Sequence, residues 1–283
     1  MSNPPSGQTS LPQLPKEELS FDAQSLIQSI DARLDSSEWQ FAGERETSEQ
    51  GKLLLAAAMR HSARLLQELD VADTNDLTFA ARLLARTLYE TLTLTTYLSF
   101  FGETGYDQVR SNYKAHVNET IAAVKRVNDQ IAADAQQSGR EDVSPPVPTA
   151  SLESLLSNLG ESNAKLEFGE MVRRISEADS QGFFRENLRR VRLIYSATSL
   201  FAPHTNYWVL KGYFYAETKG ALTPTLRMFS GNVTSSGDRL FTMHMTACVA
   251  VLVLQNEGHP MEEAHRIIDK YEHMFGSTDG PGS

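Results

Sequence analysis

Cysteine is almost absent from this chain. Cys248 stands alone, so no intrachain disulfide can form and nothing asks for an oxidising compartment. Set in the apolar run Ala247–Leu254, it reads as a buried, inert thiol. The alternative, a reactive nucleophile, has no basic residue beside it in sequence. Positive charge is also in short supply: 26 Lys and Arg stand against 36 Asp and Glu, a formal net charge of −10. A protein whose main task is to grip a phosphate backbone needs a basic face, so the balance argues against that class while leaving room for a local patch. No apolar run approaches the roughly 20 residues that span a bilayer. The opening residues, Met1–Pro15, lack a basic start followed by an apolar stretch, so neither a secretory signal nor a membrane partner is expected, and the expected location is the cytoplasm. A Gly-rich phosphate loop, a nucleophile elbow, Cys-x-x-Cys and His-Glu-x-x-His are all missing, and no cofactor or metal is expected.

What the 283 residues do contain is ordinary globular material, 40% hydrophobic and 22% charged, with enough length to bury a core. Residues 1–15 and 276–283, rich in Gly, Pro and Ser, read as disordered tails. Between them helical periodicity recurs. A first helix spans Glu17–Leu34, with Phe21, Leu26, Ile27 and Ile30 on its apolar side. A second covers about Gln50–Leu69 through Leu54, Ala58, His61, Leu65 and Leu69, and Asp73 or Asn75 offers an N-cap for the third. That third helix, about 77–101, is apolar all round and so belongs in the middle of a bundle, with Gly102 and Gly105 ending it.

A long amphipathic helix follows over Tyr106–Ala135, its far end reaching past the core. The segment at about 138–149 carries Pro145, Pro146 and Pro148 and reads as a surface loop inside one domain. Shorter and stronger helical patterns come next at Leu152–Leu159 and Phe183–Phe201, the latter closed by Pro203. The stretch 207–229 suits either a helix or a small hairpin turning at Lys219-Gly220. Asp238–Asn256 and a last helix from Pro260 to about Phe275 complete the chain. The expected fold is all-α, a single helical bundle occupying 16–275.

Four polar constellations stand out. Arg82, Arg86 and Glu90 follow at four-residue spacing on the apolar helix, so Arg86 and Glu90 can pair along it. Among apolar neighbours such charges are expected to be partly buried, and they read either as an ion pair fixing helix register or as the floor of a polar pocket. Tyr195 and Ser199 share a helix face, and Pro203 turns the chain out just before His204. That imidazole is either a helix C-terminal cap or a general base, oriented by a carboxylate such as Glu90. Together Arg82, Arg86, Glu90, Tyr195, Ser199 and His204 form the candidate ligand-binding set, with His204, Arg86 and Glu90 its candidate catalytic members.

The third constellation is Glu262, His265, Asp269 and His273. Their spacing suits metal ligands, but no second Glu-x-x-His exists to complete a bundle site, and they fall off the apolar face of Ala264, Ile267, Ile268, Tyr271 and Phe275. A charged outer face is the expectation. The fourth is Arg185, Arg189, Arg190 and Arg192, with Phe183 and Phe184 close by. It reads first as a solvated face, or as pairing with the acidic surplus elsewhere in the chain, and otherwise as a contact for RNA or an acidic partner. Helical faces also offer surfaces for self-association.

Two of these segments carry a resemblance. Ala85-Arg86-Thr87-Leu88-Tyr89-Glu90 and, a hundred residues on, Tyr195-Ser196-Ala197-Thr198-Ser199-Leu200-Phe201-Ala202-Pro203-His204 look like a family of bacterial all-helical domains of unknown function, over residues 50–215. The resemblance implies a fold class and a candidate pocket, not a reaction. Because no complete catalytic set can be assembled from the sequence, the expected function is a binding or regulatory module in a bacterial stress or defence setting. Some of those relatives look similar to the HEPN superfamily, whose nuclease members cleave RNA, which makes a HEPN-like ribonuclease the alternative function. Arg-to-His spacings of that kind occur at Arg110 and His116, Arg239 and His244, and Arg266 and His273. Three occurrences in one chain show how little the spacing discriminates, and Ser111, Leu240 and Ile267 stand where the nuclease pattern prefers Asn, Asp or His.

Overall fold

A computed structural model of the chain describes residues 15–36, 49–138, 146–157, 166–180, 182–201, 214–215, 225–226, 236–254, 261–272 and 274. Both terminal segments read as tails, and most of the Pro-rich loop, lie outside these residues. The described elements are α1 (Lys16–Asp35), α2 (Glu49–Thr74), α3 (Thr78–Ser138), α4 (Ala150–Ser157), α5 (Phe168–Ala178), α6 (Phe183–Phe201), β1 (Phe214–Tyr215), β2 (Thr225–Leu226), α7 (Ser236–Leu254) and α8 (Glu262–Glu272). The fold is all-α. Among the described residues one antiparallel ladder pairs Phe214 with Leu226 and Tyr215 with Thr225, which fits the hairpin of the two alternatives for 207–229; the Lys219-Gly220 turn lies outside the described residues.

The apolar stripe of α1 comprises Leu19, Ala23, Leu26, Ile27, Ile30 and Leu34. Spacings of three and four put them on one side, which packs on α2. Phe21, expected on that side, is 70% exposed, and the inward position next to it belongs to Asp22. Helices α1 and α2 run antiparallel: Ser20 Oγ donates to Asp70 Oδ1 at 2.8 Å, and Arg60 Nη2 pairs with Asp35 at 2.5 Å near the other end. The chain then reverses within three residues. Leu77 N donates to Ala72 O at 2.8 Å, and Asp76 takes φ 57°, a left-handed conformation that Asp tolerates better than most residues. Asp73 and Asn75 were the expected caps of α3. Asp73 instead stays within α2 as a buried charge, and Asn75 Nδ2 closes α2 by donating to Val71 O.

Two helices share the centre. The first half of α3 buries Ala81, Arg82, Ala85, Leu88, Tyr89, Leu92 and the run Thr95–Ser99, while Leu83 and Thr87 face outward. Every residue of α7 from Arg239 to Ala250 is buried. By length and composition Gly237–Leu254 would cross a membrane, but it lies mostly buried against α1, α2, α3 and α8. Its threonines are cheap to bury because each hydroxyl bonds back along the helix, Thr242 to Asp238 O at 2.8 Å and Thr246 to Thr242 O at 2.7 Å. The same device serves Thr95 and Thr96 in α3.

Gly102 breaks α3. At φ 52°, ψ −130° it leaves helical geometry, in a region that side chains avoid. The expected stop at Gly102 is thus a kink, and Gly105 lies within the continuing helix. Across the kink Tyr97 OH donates to Gln108, and Arg174 Nη1 of α5 donates to Tyr97 OH at 3.2 Å and to Gln108 Oε1 at 2.7 Å. Beyond Ile121 the helix is largely exposed, as its composition foretells. It is braced there by α4 and by reciprocal hydrogen bonds between Asn128 and Val147.

Candidate functional site

A four-residue step turns a helix by roughly 40° beyond a full turn, so the row Arg82, Arg86, Glu90 slants from core to surface. Arg82 is 4% exposed. Arg86 Nε lies 3.5 Å from Glu90 Oε1, with side chains 22% and 44% exposed. The pair forms as the spacing predicts, on the outer side of the helix, and the buried member is Arg82. Helix α6 runs antiparallel to this part of α3. Phe184 meets Phe100 edge-on at 5.9 Å, and six residues later Arg190 is near enough to act electrostatically on His244 of α7. At 1.5 Å per residue, Tyr195 stands about 16 Å beyond Phe184, near the level of Tyr89, with Ser199 a turn further on. That sets the level of the two segments along the bundle and not their separation; the side chains of Tyr195 and Ser199, and all of His204, lie outside the described residues.

The strongest charge cluster is one the spacing argument passes over. Arg239, in the first turns of α7, is completely buried. It pairs with Asp70 at 2.8 Å and with Asp73 at 3.3 Å, and donates to Lys16 O at 2.8 Å and Thr74 Oγ1 at 3.2 Å. Beside it, burial pushes the Asp238 carboxyl up to about 6; Arg82 pulls the other way and Asp73 adds to the rise. Burial and the Asp238 charge also hold the Tyr89 phenol well above its ordinary value. Arginines normally sit at surfaces, so one spacing of Arg to His in sequence does not reveal a buried node whose carboxylates lie 166 or more residues away.

His244, one turn on, is buried and drawn down to about 4, first by desolvation and then by the Arg190 charge. Its Nδ1 lies 3.9 Å from Cys248 Sγ, a neighbour on the same helix face that a search of adjacent residues misses. Burial, with a contribution from Glu272, pushes the thiol up to about 12. Imidazole and thiol are thus both neutral, and the cysteine is inert. With Arg239 and His244 sealed in the core, that Arg-to-His pair meets no solvent. His116 is exposed on the α3 arm beside Glu119, and Arg266 is engaged by Asp22 and Glu263. His273 lies outside the described residues.

On α8, Glu262 and Asp269 are exposed and His265 half-buried, while Ala264, Ile267 and Tyr271 face the core. Among the described residues no three His, Cys, Asp or Glu side chains gather as a metal site. The buried partner on α1 is Asp22, held by Arg266 at 2.7 Å, by Lys270 at 2.7 Å and by the Tyr271 hydroxyl. Burial raises the Asp22 carboxyl, but Lys270, Tyr271 and Arg266 outweigh it and leave the group below its ordinary value.

The basic cluster resolves into two flanks. Phe184, Leu188 and Val191 form the buried face of α6. Arg185, Arg189 and Arg192 fall on one side of that face and line a cleft of about 470 Å³ against α5, where Val172, Arg173, Ser176 and Glu177 form the other wall. Arg190 falls on the opposite flank, near Glu186 at 3.5 Å. Arg185 closes α5, its Nε donating to Ser176 O at 3.2 Å and its Nη2 to Asp179 O at 3.3 Å. Asp179 in turn opens α6, accepting from Phe184 N at 2.7 Å and Arg185 N at 3.0 Å. Arg173 reaches Glu170 at 2.7 Å and Glu177 at 2.6 Å, and Arg189 is 76% exposed. Glu170, shared by Arg173 and Arg174, is held down at about 2 by those two guanidinium groups. Helix α5 and its Arg173 escape a reading for long periodic segments, although Phe168, Met171, Val172 and Ile175 keep helical spacing.

No family model, curated protein or solved structure matches this chain.

Proposed function

We propose that the protein is a helical binding module that takes an anionic partner in the α5–α6 groove. The observation that supports this most is the convergence of Arg173, Arg185, Arg189 and Arg192 from two helices on one cleft, in a chain that carries a net charge of −10. Guanidinium forks favour anions that accept two hydrogen bonds at once, and a local basic cleft in an acidic molecule concentrates such anions. On this reading Arg86 and Glu90 are a register-fixing pair, and the buried Asp70–Arg239 node is scaffold.

The measurement is a titration with inorganic phosphate, followed by the side-chain Nε–H signals of the arginines. Arg189 and Arg192 should shift together and saturably, and Arg64 on the far groove between α1 and α2 should not. If the phosphate moves neither Arg189 nor Arg192, or moves all three alike, the groove is not the binding site.

A further inference from the structure

The second half of α3 has a covered face and an open one. On the covered face Lys125 reaches Glu153 of α4 at 3.0 Å, and Asn128 exchanges hydrogen bonds with Val147. Val117 and Ile121 are buried on that side. About 100° around the helix runs a second row, Tyr113, His116, Thr120, Ala123 and Val127, all exposed. Tyr113 and Val127 are its large apolar members. The row advances by three and four residues in turn, the repeat of a seam that packs against another helix. At its centre lies a shallow hollow of about 510 Å³, lined by Glu119 and Arg126 as well as by Thr120 and Ala123.

The charges say what fits there. Residues 106–138 hold four basic and four acidic side chains, in a chain whose net charge is −10. Copies of such a molecule repel one another over most of their surface, and this neutral segment is where they can meet. Glu119 and Arg126 lie seven residues apart on one flank of the row. Glu119 stays half-exposed beside His116 at 3.7 Å, so its carboxylate remains at the surface. A second copy turned end for end about the midpoint of the row places His116 against the partner's Val127 and Thr120 against the partner's Ala123. The same turn sets Glu119 against the partner's Arg126 and Arg126 against the partner's Glu119. A two-fold interface has to complement itself, and this one does. Parallel pairing instead sets Glu119 against the partner's Val124 and Arg126 against the partner's Ile131, which leaves both charges without a counterpart across the seam.

We propose that the open face of α3 is an antiparallel, two-fold interface with a second copy of this chain, its direction set by the two Glu119–Arg126 pairs. The seam is roughly 26 Å long, which makes a small and reversible contact. Sedimentation velocity of the full chain, from micromolar to several hundred micromolar, tests it. The wild type should pass reversibly from monomer to dimer over that range. Glu119→Arg and Arg126→Glu each oppose like charges across the seam, and each alone should weaken the dimer at least tenfold. Their thermal melts should match the wild type, because both side chains are exposed. Mixed in equal amounts, the two variants should dimerise with each other about as tightly as the wild type does, since each supplies the charge that the other lacks. A wild type that stays monomeric throughout overturns the proposal. So does a dimer that either variant forms as tightly as the wild type, because it would use another face. A mixture that recovers no dimer overturns it as well, because the pairing would not be antiparallel.

Discussion

At the scale of single residues, Arg239 and Arg86 show how burial decides what a charge is worth. Both have carboxylate partners within 3.5 Å. Replacing Arg239 by Met would strand Asp70 and Asp73 inside the protein, and a loss of about 3–5 kcal/mol in urea unfolding is expected. Adding Asp70→Asn and Asp73→Asn to that variant should recover part of the loss, since the cost comes from the uncompensated carboxylates. Glu90→Ala, by contrast, should cost less than about 0.5 kcal/mol, because the Arg86–Glu90 pair is half in water. A drop in melting temperature as large as that of the Arg239 variant would contradict the exposure seen here.

At the scale of elements, Gly102 carries the clearest prediction. Its φ of 52° with ψ of −130° is costly for any residue with a Cβ, so Gly102→Ala should destabilise by about 1–3 kcal/mol in the same assay. Gly105 is a separate case: an added Cβ there would meet Phe101 Cβ at 3.0 Å, a packing problem within regular helix. Most of this architecture is legible in the sequence. The bounds of α6 coincide with the periodic segment Phe183–Phe201, and α1, α2 and α7 differ from their expected spans by a few residues at either end. What escapes is of two kinds. Helix α5 is short, and its exposed positions mix Gly169 and Ala178 with Arg173 and Glu177, so its four large apolar residues carry the whole signal. The Asp70–Arg239 node joins elements distant in the chain, and no local pattern marks an arginine for burial. For the α5–α6 cleft, three of its four arginines are visible as a cluster, whereas the separation of Arg190 from them requires knowing which face of α6 is buried.

For the whole molecule, two buried groups oppose each other between about pH 4 and 6.5. The Asp238 carboxyl is at about 6 in the folded protein against 3.8 ordinarily. The native state therefore binds that proton more tightly, and its contribution to stability is lost as pH rises from about 4 through 6. His244 is at about 4 against 6.5, so its contribution is present above 6.5 and lost as pH falls toward 4. Over the shared range the slopes have opposite sign and offset. Asp238→Asn should expose the histidine limb, with the melting temperature falling more steeply than wild type between pH 6.5 and 4. His244→Gln should expose the other, with relative stability greater at pH 4.5 than at pH 6.5. Melting curves that stay parallel to wild type in both variants would show that neither group titrates in this range.

The Asp70–Arg239 pair spans 169 residues of sequence, and that distance has a meaning in time. A ribosome adds about 5–20 residues per second, so roughly 8–34 s separate the emergence of Asp70 from that of its partner. Through that interval α2 and the first half of α3 have been made, and the helix that fills the centre between them has not. Two acidic side chains and a wide apolar face must wait in water for the last quarter of the chain. Until α7 emerges, the core of this fold lacks its buried cation and much of its apolar cover, and that is when a nascent chain most needs protection from its neighbours.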